Sequence, residues 1–229
     1  LATCYTLTME RKVSFAEGEQ YHLYNRGVDK RVIFVSTADY RRFLILLYLA
    51  NSEHDIRISN IPKTTKYEDI FVRERGEPLV AIGAYCLMPN HFHLLVTPVT
   101  KDGISRYMLK LQTGYAMYFN TKNERSGSLF QGSFRSSHVD DDRYLQYLYS
   151  YIHLNPAKLR DPRWKEKNRS RNELMKFVER YPYSSYGAYL NATHTITNPT
   201  MFPDYFSSKN DIVSHIADWL ILDEEETIE

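Results

Sequence analysis

Two imidazoles sit two residues apart in the run Met88-Pro89-Asn90-His91-Phe92-His93-Leu94-Leu95-Val96. The apolar residues after the Pro89-Asn90 turn signal predict a strand over Phe92 to Thr97. On a strand, alternate residues face the same side. His91 and His93 therefore project together, and Phe92 projects to the opposite, apolar side. Two neutral imidazoles so placed form half of a divalent-cation site. The plainer alternative is a pair of partly exposed strand histidines.

A second constellation lies on the helix predicted over Asp140 to Leu154, ahead of Pro156. Tyr147, Tyr151 and Asn155 follow one another at intervals of four and so line one face. If that helix meets the histidine pair, Asn155 adds an amide oxygen as third ligand and Tyr151 lies beside the cation. Two imidazoles and one amide oxygen leave positions open for water and a substrate phosphate. The competing reading is a tyrosine-rich amphipathic helix burying its aromatics against a sheet. Spacing alone does not choose between Tyr147 and Tyr151, and His153, off this face, reads as a surface or packing residue.

Other elements must position these groups. Glu19 to Asn25 reads as a strand ending at Gly27. Thr37 to Leu49 reads as a helix with Ser36 or Thr37 as N-cap. Leu79 to Leu87 forms a strand antiparallel to the histidine strand. Ile104 to Phe119 has helical spacing through Ile104, Met108, Leu111, Tyr115 and Phe119. Gly127 to Val139 reads as a loop and a short strand. Residues 51–77 form a polar excursion in which Asp69 to Arg73 could pair as a strand. The order predicts an α+β fold, one antiparallel sheet with helices packed on it, over residues 1–160. Residues 161–229 form a C-terminal extension.

The chain has 229 residues, 43% of them hydrophobic, enough for a core, and no apolar run near the ~20 residues of a membrane span. The first residues carry no secretory pattern, and, as translation does not begin at a leucine, the true N-terminus is expected to lie ahead of Leu1. Cys4 and Cys86 lack zinc-site spacing and read as reduced cytosolic thiols, a disulfide being the alternative. A net charge of +1 hides a basic stretch over Lys158 to Arg180 and an acidic one over Asp223 to Glu229. The 19 tyrosines suit stacking on unpaired bases as well as ordinary packing.

Four further blocks make the pattern specific: Tyr21-His22-Leu23-Tyr24-Asn25-Arg26-Gly27, Tyr85-Cys86-Leu87 ahead of the histidine run, Ser126-Gly127-Ser128-Leu129-Phe130-Gln131-Gly132, and Tyr151-Ile152-His153-Leu154-Asn155-Pro156. With the Tyr183-Ser184-Ser185-Tyr186 stretch, they resemble the HUH single-tyrosine transposases, most of all the REP-associated branch. The resemblance implies a ferredoxin-like HUH nuclease fold. It implies His91 and His93 as metal ligands, Asn155 as the third ligand and Tyr151 as nucleophile. It also implies a 5′-phosphotyrosine intermediate, Mg²⁺ or Mn²⁺ as cofactor, and single-stranded DNA with palindromic hairpins as substrate. Arg26, Arg135, Lys158 and Arg160 are the expected DNA contacts, the protein is expected in the cytoplasm, and monomer and homodimer both stay open. The long 51–77 excursion, Ser133 where a basic residue often follows the glycine, and Ala157 to Arg160 depart from the family pattern. These departures bear on target choice and DNA grip. The competing functions are a domesticated hairpin-binding repressor without cleavage, a water-using RNA phosphodiesterase, and a purely structural domain.

Overall fold

The computed structural model describes residues 15–55, 58–164, 171–206 and 208–219. Four strands, β1 (Gln20–Arg26), β2 (Val80–Met88), β3 (His91–Pro98) and β4 (Arg135–Val139), form one antiparallel sheet in the order β2-β3-β1-β4. Helix α1 (Thr37–Leu49) connects β1 to β2 and α2 (Gly103–Lys122) connects β3 to β4. The chain thus runs β-α-β-β-α-β, the ferredoxin-like arrangement. That order puts β3 and β1 at the centre, with Tyr24 opposite His93 and Arg26 opposite His91.

Alternation divides the sheet into two faces. Leu23, Phe92, Leu94 and Val96 are fully buried on one of them, where α1 and α2 lay down Phe43, Leu47, Met108, Leu111 and Tyr115. Ser36 is the N-cap of α1, as expected, and the Asp39 carboxylate accepts from the backbone N–H of Ser36 at 2.9 Å. The other face carries Ala84, Cys86 and Leu95, covered by Leu145, Leu148, Tyr149 and Ile152 of α3 (Asp142–Leu154). Asp141 caps α3 through a 2.8 Å hydrogen bond from the Tyr144 N–H.

The expected short strand at Asp69 to Arg73 is instead a 3₁₀ turn, Glu68–Val72, whose Ile70 packs under Tyr48 and Leu49 of α1. A strand there would have needed a partner edge, and the side chain of Asn51 already fixes the chain leading into β2. Its Oδ1 accepts from the N–H groups of Leu79 and Val80, both at 3.0 Å, and its Nδ2 donates to the Val80 carbonyl at 2.8 Å. Asn51→Ala is expected to cost on the order of 3 kcal/mol, given about 1–3 kcal/mol for each buried group left unpaired. A urea titration would check this, with a lowered midpoint and unchanged slope. An unmoved midpoint would mean that water replaces the amide.

Past α3 the chain forms α4 (Ala157–Arg160), α5 (Arg171–Glu179), α6 (Tyr186–Asn191) and α7 (Lys209–Trp219). Within the extension, residues 183–198 lie along the outer edge of β2. The Leu87 N–H donates to the Tyr183 carbonyl, the Ser185 N–H to Tyr85, and the Asn198 N–H to Ile82. Ser185 Oγ also lies 2.7 Å from His153 Nε2, and His153 is fully buried, so it is a packing residue rather than a surface one. The edge of β2 is thereby paired by the chain itself. Cys86 is buried and free, and Cys4 lies outside the described residues, as do Lys165, Lys167, Arg169 and the acidic run from Asp223. Among the described residues no helix is long and apolar enough to cross a membrane.

Candidate active site

Because β3 is flanked by β1 and α3 crosses the same face, the histidine pair faces the tyrosine helix. The His91 and His93 rings lie 5.0 Å apart between centroids and mutually perpendicular. The Tyr151 ring meets His93 edge-on at 5.4 Å. All three belong to one chain, so the tyrosine stands by its own chain's histidines. They line a cleft of about 700 Å³ that also receives Tyr24, Arg26, Gln131, Arg135, Tyr147 and Lys158.

Burial dominates the electrostatics here. It lowers the His91 pKa to about 4, with the Arg26 and Lys158 cations adding to the effect. Burial likewise pushes His93 well below its ordinary value, with His22, His91, Lys158 and Arg26 contributing. Both imidazoles are therefore neutral at pH 7, the form that coordinates a cation. His91 Nδ1 is engaged by Asn90 Oδ1 at 2.6 Å, which keeps its Nε2 available.

Asn155 is nearly fully buried at the end of α3, where its Nδ2 donates to the Tyr151 carbonyl at 3.3 Å. Its Oδ1 has no hydrogen-bond partner among the described residues, and Asn155 does not line the cleft. Among the described residues no group of three or more His, Cys, Asp or Glu side chains could hold a metal ion by itself. The two neutral imidazoles are nitrogen donors of the kind that suits a divalent cation completed by water and phosphate, and the buried Asn155 Oδ1 is not brought into the cleft with them.

The two tyrosines that spacing leaves equivalent are separated by their surroundings. Tyr147 packs against Trp219 of α7 at 5.0 Å, and burial, then Tyr151 and Tyr144, raises its pKa to about 12. Tyr151 contacts the histidines, and the Lys158 ammonium lies 5.3 Å from its ring centre. Of the four expected DNA contacts, Arg26, Arg135 and Lys158 reach the cleft, whereas Arg160, exposed on α4, does not line it. α4 turns the chain away one residue pair after Lys158, which is why two nearby basic residues part company.

Sequence reasoning gives no role to His22, which is 7% exposed with its Nε2 2.9 Å from His93 Nδ1. Its ring also meets Tyr151 edge-on at 6.1 Å. The signal lies in the alternation of His22, Tyr24 and Arg26 along β1, which puts all three on the face of the histidine pair.

Residues 47–155 match the family model described as transposase IS200 like, a span that ends on Asn155. A solved structure, "Structure of the REP associates tyrosine transposase bound to a REP hairpin", is similar at 14% identity and a TM-score of 0.50, covering 87% of this chain and 92% of that one. At that identity the likeness shows the fold. No curated protein gives a match. The match over residues 47–155 agrees with the resemblance to IS200-like transposases, and the α+β fold expected from it is borne out.

Proposed function

We propose that this chain, which matches the IS200-like transposase model over residues 47–155, cuts and rejoins single-stranded DNA beside a hairpin, with Tyr151 as its nucleophile. The observation that carries this reading is the placement of the Tyr151 ring against His93, inside a cleft that also holds Arg26, Arg135 and Lys158.

The three cations attract the backbone phosphate and orient it in the cleft. His91 and His93, with Asn155 as the third ligand implied by the family, would hold Mg²⁺ or Mn²⁺. Such an ion, when bound, polarises a phosphoryl oxygen and so eases attack at phosphorus. The Tyr151 phenol loses its proton to solvent as its Oη bonds to phosphorus. The bond from phosphorus to the 3′ oxygen breaks, and that oxygen takes up a proton. The products are a 5′-phosphotyrosine and a free 3′-hydroxyl. The linkage keeps the phosphodiester's energy, so a second 3′-hydroxyl reverses the step on a new strand without ATP.

We assign catalysis to residues 1–160 and treat 161–229 as an extension, whose described residues brace β2 and α3. The REP hairpin bound in the similar solved structure supports hairpin DNA as the partner, and the reading places the action in the cytoplasm. Tyr24, Tyr144 and Tyr147 offer rings to bases that are not held in a duplex.

Incubation with Mn²⁺ and two DNAs of one sequence tests the substrate. The hairpin with a single-stranded flank is expected to be cut, and the perfect duplex is not, because duplex phosphates cannot enter a cleft floored by the sheet. Equal cleavage of both forms would reject the reading. Tight hairpin binding without any cleavage would favour a repressor instead.

A further inference from the structure

We propose that His22 is a positioning residue: it accepts a hydrogen bond from His93 Nδ1 and thereby leaves His93 Nε2 bare for the cation. This rests on the metal-binding reading of His91 and His93.

The two ring nitrogens are 2.9 Å apart, a distance at which one of them must donate and the other accept. If His22 donated, the proton of neutral His93 would sit on Nε2 and close the nitrogen needed for coordination. If His93 donates from Nδ1, its Nε2 keeps a free lone pair. Only the second arrangement gives a ligand.

His91, the other half of the pair, is held in that same way. Asn90 Nδ2 donates to the Lys30 carbonyl at 3.2 Å, which turns Asn90 Oδ1 toward His91 Nδ1 at 2.6 Å. An amide oxygen only accepts, so the His91 proton sits on Nδ1. Both imidazoles thus have an outer partner at Nδ1, supplied by a turn residue in one case and by β1 in the other. Such partners fix tautomer and ring orientation at metal sites.

Packing makes His22 well suited to the task. It is 7% exposed and His93 is 6% exposed, so water does not readily replace the contact. The two rings lie nearly parallel, 5.1 Å apart and 21° between planes, and Tyr24 confines His22 at 5.1 Å. The Tyr151 ring stands edge-on to both, so a shift of His93 would also disturb the nucleophile's neighbour.

The test combines tautomer and affinity in the DNA-free protein. Nitrogen-15 NMR of the metal-free wild type is expected to find His93 protonated at Nδ1 and bare at Nε2. His22→Gln, whose Oε1 still accepts, should keep that spectrum, and His22→Leu should lose it. Mn²⁺ titration should then give near wild-type affinity for His22→Gln and a loss of about tenfold to a hundredfold for His22→Leu.

His93 protonated at Nε2 in the wild type would overturn the proposal, even if His22→Leu failed to fold. So would His22→Leu binding Mn²⁺ as tightly as wild type while His91→Ala does not. If His91→Ala and wild type bound Mn²⁺ alike, the metal reading itself would fail, and the tautomer measurement would still decide the role of His22.

Discussion

Replacing His93 by alanine is expected to remove DNA cleavage, by at least about a thousandfold, while the protein keeps its fold. His93 stands between the two other groups that matter, with His91 at 5.0 Å and Tyr151 at 5.4 Å. No neighbour along β3 can take over its nitrogen, since Phe92 and Leu94 point into the opposite core. Losing several kcal/mol of charge stabilisation at the phosphate corresponds to that factor. His91→Ala should behave alike, because the pair acts as one unit and single deletions of such units are not additive. Cleavage rates with Mn²⁺ and a hairpin-flanked single strand, alongside circular dichroism to verify folding, check this. Undiminished rates in both variants would remove the metal assignment.

Tyr151→Phe is expected to bind the same DNA as tightly as wild type and to form no covalent adduct at all. The substitution deletes one oxygen and keeps the ring that packs against His93 and under Lys158, so the cleft retains its shape and its three cations. Tyr147→Phe should retain activity. Its ring leans on Trp219, and burial has raised its pKa to about 12, which makes its phenolate harder to reach. Gel-shift affinity measured beside adduct yield separates binding from chemistry. An adduct that survives in Tyr151→Phe and vanishes in Tyr147→Phe would mean that the chemistry belongs to the other turn of α3.

The parts of this site that alternate along one strand or one helix face are legible in the sequence. His91 and His93 follow from the two-residue period of β3. The facing Tyr147 and Tyr151 follow from the four-residue spacing of α3, and the buried row of α2 from the positions of Ile104 through Phe119. His22 is harder to reach, because its role depends on β1 lying next to β3 and on Tyr24 falling opposite His93. Register across strands is a tertiary property that no single segment encodes. The strap along β2 is hidden for a related reason. Tyr183, Ser185 and Asn198 hold the edge through backbone hydrogen bonds, joined by one from the Tyr85 N–H to Ser185 Oγ, and such bonds impose no hydrophobic period. Spacing to Tyr151 predicts Asn155 in the cleft, but at the helix end its amide turns back to the Tyr151 carbonyl. Arg160 shows the same limit, since the short helix after Pro156 redirects the chain.

The most direct measurement is the identity of the residue that becomes joined to DNA. Wild-type protein would be incubated with Mn²⁺ and a hairpin-flanked single strand, digested with trypsin and nuclease, and mapped by mass spectrometry. The expected product is a nucleotide linked through its 5′ phosphate to the peptide containing Tyr151, with fragmentation locating the mass on that residue. A 5′-linked nucleotide on Tyr144 or Tyr147, or cleaved DNA with no protein-linked product, would contradict the assignment of Tyr151 as nucleophile.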